Sequence, residues 1–356
     1  MWPLYLKELG AEPQDIGLVF GVGSVLGALA FVPAGYIADR FGRKPVLVTV
    51  WIISTAGGAA FLPLQDWRGA FIGSTLYWAG AAAVPLMAAH LAATVERRML
   101  GRALGLVLGA YFFGNILSSP FAGVIGAAVG LRATIGLGVV AFIVSSSLVF
   151  GVRATPPVVA VDYPRFSRTF WSLLVITPFA ALLSIVSLAL LPVYLHDIAA
   201  VPLERIGVYV ALVAVGAAIF QPAAGRLADA VGAVPALICA ATAMTAGAGL
   251  LALSGRNEPL IVVAALLLGA TQAANPVLAA AVERILPPAR VALGYATYQL
   301  AFAIGFGSGG AVAGFLYEAD PLLPFLVTVA LALPVAATVA VVIARMHVTQ
   351  ALSPTA

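Results

Sequence analysis

The sequence predicts an all-α polytopic membrane protein, and two observations carry that expectation. Of its 356 residues 62% are hydrophobic and only 9% charged, too little charge to cover a globular surface in water. The apolar residues also gather into runs close to the ~20 residues with which a helix crosses ~30 Å of hydrocarbon, and the charges fall in the breaks between them.

Taken in order, Met1 to Gly10 lack the basic start and apolar core of a signal peptide and read as the outer tail of a helix. Spans are then expected at roughly 16–37, 46–64, 69–93, 103–126 and 132–152, and after a break at 171–195, 206–228, 233–253, 259–282, 292–316 and 322–345. That makes eleven. Between the first two lies a short polar hinge, Gly35-Tyr36-Ile37-Ala38-Asp39-Arg40-Phe41-Gly42-Arg43-Lys44-Pro45. Gly35 and Gly42 allow close approach and a tight reversal there, and Arg40, Arg43 and Lys44 pin the turn at a membrane surface. The break from Arg153 to Thr169 carries Pro156, Pro157 and Pro164 and reads as a linker. Domains are accordingly expected at 1–152 and 171–356, with 153–170 between them.

Charge sorts by side. One set of loops holds 13 of the 18 Lys and Arg residues and 5 of the 14 acids, among them Asp39, Glu96, Asp229 and Glu283; the other set holds the remainder. The positive-inside rule makes the first set cytoplasmic, and the C-terminus with it. That topology leaves Met1 outside, which a missing first helix would explain, so the intact chain is expected to have twelve spans. The order also repeats. Gly35-x-x-Ala38-Asp39-x-x-Gly42 recurs as Gly225-x-x-Ala228-Asp229-x-x-Gly232, and Val95-Glu96-Arg97 as Val282-Glu283-Arg284.

Residues 35 to 44 match throughout the pattern Gly-x-x-x-Asp-Arg-x-Gly-Arg-Lys/Arg, and with the span number, repeat, sidedness and linker the chain resembles the major facilitator superfamily. That resemblance implies two six-helix bundles, the first short of one helix here, rocking about a site at the membrane midplane. It also implies that Asp39 and Arg40 lock the bundles on the cytoplasmic side, with Asp39 facing the start of the 292–316 helix. Arg43 and Lys44 are read equally as anchors. The second copy keeps Asp229 but has Ala230 and Ala233 where the first has Arg40 and Arg43. Drug and proton antiporters of the superfamily often carry Arg-x-x-Gln-Gly in the fourth helix and Gly-Pro-x-x-Gly-Gly in the fifth. Here Leu76 and Ala79 replace the Arg and Gln, and the second stretch is Ser119-Pro120-Phe121-Ala122-Gly123-Val124.

Charges stand at span ends, so uncharged polar groups inside the spans are the substrate candidates: Tyr77, Asn115, Gln272, Asn275, Tyr298 and Gln299. Gln272 and Asn275, three apart, share one helix face. Pro276 beside them removes a backbone hydrogen bond and bends that helix, as Pro85 does in its counterpart. Gly105 with Gly109, and Gly310 with Gly314, have the spacing that lets helices approach closely.

Other chemistries are set aside. One cysteine, Cys239, and the scattered His90, His196 and His347, read as surface or interfacial groups, offer no metal site. Gly21-x-Gly23 and Gly305-x-Gly307 follow no strand, so no nucleotide cofactor is expected and gradients would drive transport. No basic stripe suits nucleic acid despite a pI near 9.4. Catalytic residues are expected nowhere.

The expected function is secondary transport of a small organic solute across the inner or plasma membrane, export of a moderately apolar compound first. The partners are the solute, the lipid bilayer and a coupling proton, and the chain is expected to act as a monomer. Import or uniport of a neutral polar solute such as a sugar, and a non-transporting receptor-like relative or truncated remnant, stand as alternatives.

Overall fold

The computed structural model describes residues 1–154, 166–286 and 291–351, a few side chains excepted, and those residues contain helices and no strand. The order is α1 (Trp2–Glu8), α2 (Pro13–Ala28), α3 (Phe31–Phe41), α4 (Arg43–Ala59), α5 (Ala70–Ala79), α6 (Ala83–Thr94), α7 (Arg97–Val129) and α8 (Leu131–Val149). It continues with α9 (Arg168–Val186), α10 (Leu191–Asp197), α11 (Leu203–Val231), α12 (Ala233–Ser254), α13 (Glu258–Leu268), α14 (Ala274–Ile285), α15 (Val291–Ala319) and α16 (Leu323–Ala351).

Among the described residues, ten stretches are long and apolar enough to cross a membrane. The eleventh expected span, 46–64, is α4, a helix of 17 residues that ends at Ala59 where the chain turns through Ala60 to Leu64. Large apolar side chains stay exposed on many of these helices, Ile72 at 68%, Leu148 at 72% and Leu253 at 80%. In water such faces would be costly, whereas hydrocarbon takes them without loss.

The second run of helices repeats the first at an offset near 190 residues. α3 ends and α4 begins at Gly42, whose φ of 93° an L side chain rarely adopts; α11 ends and α12 begins at Gly232, φ 100°. Between α5 and α6 the chain tightens to a 3₁₀ turn, Gly80–Ala82, and between α13 and α14 to another, Gly269–Gln272. Each lies one turn before a proline, because Pro85 has no N–H for the carbonyl of Ala81, nor Pro276 for that of Gln272. The expected bends are therefore turns of 3₁₀ helix. Tyr5 donates its hydroxyl to the carbonyl of Phe61 (3.0 Å), and Tyr194 to that of Leu251 (3.3 Å), each fastening a short helix to its own repeat.

The face carrying Gly42 and Gly232 is called the motif face below, and the other end the opposite face. Besides smaller contacts of α3 and α6 with α15 and of α1 with α10, the repeats meet by α2 against α15 and by α7 against α11. Both contacts are antiparallel and reach backbone distance near the opposite face. A Cβ on Gly17 would stand 2.6 Å from the carbonyl oxygen of Gly310 and 2.8 Å from Cα of Gly314. One on Gly207 would stand 2.0 Å from the carbonyl oxygen of Ser119. Without a hydrophobic force between helices in lipid, small residues that let backbones touch supply the contact. Gly314 thus packs as its spacing suggested, but Gly109 has nothing within 4 Å of a Cβ placed on it among the described residues.

Candidate functional site

Gly42 supplies the reversal expected of the motif, while Gly35 sits inside α3 with open space where a Cβ would be, and so does Gly225 in the second repeat. The close approach expected at Gly35 is absent, since no atom lies within 4 Å of a Cβ placed there. Arg40 is exposed and lays its guanidinium over the ring of Phe41, 5.6 Å from the centroid. Arg43 and Lys44 open α4 at the motif face, both partly buried. The side chain of Asp39 lies outside the described residues, as does most of the linker 153–170. Asp229 is exposed near the end of α11.

His90, expected as a surface or interfacial group, stands near a span end but is covered by its neighbours. It is 5% exposed near the end of α6, and its Nδ1 has no hydrogen-bond partner among the described residues. His196 is exposed, as expected, and His347 lies among residues whose side chains are not described.

Two substrate candidates meet. The Tyr298 hydroxyl of α15 donates to Oδ1 of Asn275 in α14 at 2.7 Å, and Tyr298 is fully buried. This hydrogen bond clasps α14 to α15, so the Tyr298 hydroxyl is already engaged. Gln272 and Gln299 are partly buried, on the 3₁₀ turn and on α15. Asn115 spends its amide on the carbonyl of Tyr111 in its own helix, 2.9 Å away, on the open side of α7. Tyr77 stands elsewhere, in a group of rings.

Those rings form a row that no periodicity of the sequence announces. Trp2 contacts Phe61 (4.4 Å between centroids), Phe20 (5.9 Å) and Tyr77 (4.7 Å), and Tyr77 contacts Trp78 (5.9 Å). Trp78 reaches across to Phe306 of α15 at 5.7 Å, and from there the row runs through Phe302 to Tyr298 and Tyr295. It passes from the first repeat to the second beside the α2–α15 contact. Trp78 Nε1 is buried and has no acceptor among the described residues, a donor whose desolvation is uncompensated.

The family model for the Major Facilitator Superfamily matches residues 1–195 and 172–355. The chain belongs to the major facilitator superfamily. Its backbone is similar to that of the nucleoside transporter NupG, with a TM-score of 0.76 at 13% identity over 97% of this chain and 94% of the other. It is also similar to a bacterial homolog of the human lysosomal transporter Spinster, TM-score 0.68 at 17% identity over 96% and 89%. At such identities the likeness is one of fold. The multi-drug resistance efflux pump PmrA of Streptococcus pneumoniae is 30% identical over 134 residues, which are 34% of this chain and 31% of the pump. The chain thus matches about a third of that curated relative's length.

As a major facilitator superfamily member the chain is a multi-pass membrane protein with the helix content and fold of transporters. Within that fold the groups that sequence reasoning passed over are Trp2, Trp78, Phe302 and Phe306. Aromatics in an apolar helix look like lipid-facing bulk, and only the helix arrangement brings these together.

Proposed function

We propose that the chain moves a small, moderately apolar organic solute by alternating access, outward, at the inner or plasma membrane. The observation that carries this reading is the asymmetry of the contact between the repeats. Backbone-close packing of α2 on α15 and α7 on α11 lies near the opposite face, while Gly35 and Gly225 near the motif face stand in open space. A rocking pair needs one face shut and the other parted.

The two bodies are the bundles 1–152 and 171–356. The motif face is cytoplasmic by the positive-inside rule, and the C-terminus lies there. Asp39 and Arg40 lock that face in the outward-open state, a proton is the coupling ion, and the monomer is the working unit.

Export of an apolar compound is supported by the ring row, by the free donor of Trp78 and by the similarity to an efflux pump. Flux of fluorescent planar compounds into inverted vesicles tests it. Trp78→Leu removes a ring contact of about 0.5–1.5 kcal/mol and should raise the half-saturating concentration about 2- to 12-fold, with Trp78→Phe less affected. Asp39→Asn should abolish flux at equal abundance. Unchanged flux in all three variants would overturn the assignment.

A further inference from the structure

Lys7 and Asp197 hold equivalent places in the repeat, 190 residues apart, yet one is a cation and the other an anion. Lys7 Nζ donates to both carboxylate oxygens of Asp197, and so joins α1 of the first repeat to α10 of the second at the opposite face. Arg68–Asp66 and Arg205–Glu258 each close within one repeat. The His196 ring lies 2.8 Å from Oδ1 of Asp197 through Nδ1 and fixes the carboxylate. Each partner of the crossing pair is tied firmly to its own body. Tyr5, two residues before Lys7, is bonded to Phe61, and Tyr194, three before Asp197, to Leu251.

We propose that Lys7 and Asp197 form a latch between the repeats that holds the opposite face shut, and that its release is a step in opening that face. The inference rests on the alternating-access reading. The two side chains are 43% and 27% exposed, so water reaches the pair and can replace it. A latch of this kind has to be weak enough to open in each cycle. Glu8 and Arg132 stand nearby on the first repeat, where burial pushes the Glu8 carboxyl up and Arg132 opposes the shift. Arg132 donates to the carbonyl of Leu64, within its own repeat. Tyr317 of α15 is buried, and its hydroxyl has no partner among the described residues.

The test uses Ser24→Cys as reporter in a Cys239→Ala background, because Ser24 is buried against Gly307 in the closed seam. A membrane-impermeant thiol reagent is added from the opposite face of cells expressing the full chain. Exposed pairs contribute up to ~1 kcal/mol, about fivefold, and like charges add repulsion, so Lys7→Asp or Asp197→Lys should speed labelling about 3- to 10-fold. The exchanged pair, Lys7→Asp with Asp197→Lys, should return labelling to within about twofold of the parent. Should a reversal fail to reach the membrane, Lys7→Gln and Asp197→Asn decide. Each should speed labelling, and together they should do so no more than the faster one alone. Reversals that leave labelling unchanged, an exchanged pair that stays fast, or neutral variants whose effects multiply would each overturn the latch. Labelling needs no solute. A parent that labels as described but moves nothing keeps the latch and drops the transport reading, while flux with unaltered labelling drops the latch alone.

Discussion

Gly17→Ala puts the closed seam to a quantitative trial. The new Cβ would lie 2.6 Å from the Gly310 carbonyl oxygen, 2.8 Å from Cα of Gly314 and 2.9 Å from its nitrogen. All three are backbone atoms, so no rotamer can yield. Ordinary contact begins at 3.4 Å, so α2 and α15 must part by about 0.8 Å, which forfeits part of the dispersion energy along the contact. Overpacking of this kind costs about 1–3 kcal/mol, a factor of roughly 5 to 150 in the balance between closed and open seam. Labelling of Ser24→Cys from the opposite face should accelerate within that range. Gly138→Ala is the control, since a Cβ on this exposed α8 glycine meets nothing within 4 Å. It should leave labelling alone and stabilise by about 0.4–1 kcal/mol through the unfolded chain. Equal behaviour of the two variants would refute the claim that the repeats meet by backbone contact at Gly17.

Three further outcomes are expected. Gly42→Ala places a Cβ at φ 93° and should cost about 1–2 kcal/mol, read as a lower unfolding midpoint in detergent, with Gly232→Ala behaving alike. Tyr298→Phe leaves the Asn275 carbonyl without its donor and should destabilise by about 1–3 kcal/mol, with Asn275→Leu in the same background costing little more. Tyr5→Phe and Tyr194→Phe each remove one buried hydrogen bond and should lose about 1 kcal/mol each, read as a lower unfolding midpoint in detergent.

Much of this architecture is legible in the order of the residues. The reversal at Gly42 follows from a glycine between two apolar runs, and its twin at Gly232 from the repeated motif. Pro85 and Pro276 mark the two 3₁₀ turns because a missing N–H acts within one helix. Contacts across the seam are harder to foresee. Lys7 and Asp197 look like ordinary span-end charges, and their pairing depends on how two distant bodies dock. Asn275 meets Tyr298 across two helices, while Asn115, of the same chemistry, turns back on its own. His90 reads as a surface or interfacial residue because composition cannot tell which end residue the neighbouring helices cover.

Reciprocal motion at the two faces is the most direct check on alternating access. In the Cys239→Ala background, one pair of spin labels goes at Tyr36 and Ala230 on the motif face, and a second at Arg68 and Glu318 on the opposite face, all exposed positions. Distance distributions are then recorded in lipid with and without a transported compound and a pH gradient. Opposite shifts are expected: where the first pair shortens, the second lengthens, in matching fractions. Both pairs moving the same way, or both holding one fixed distance while flux proceeds, would contradict alternating access in this protein.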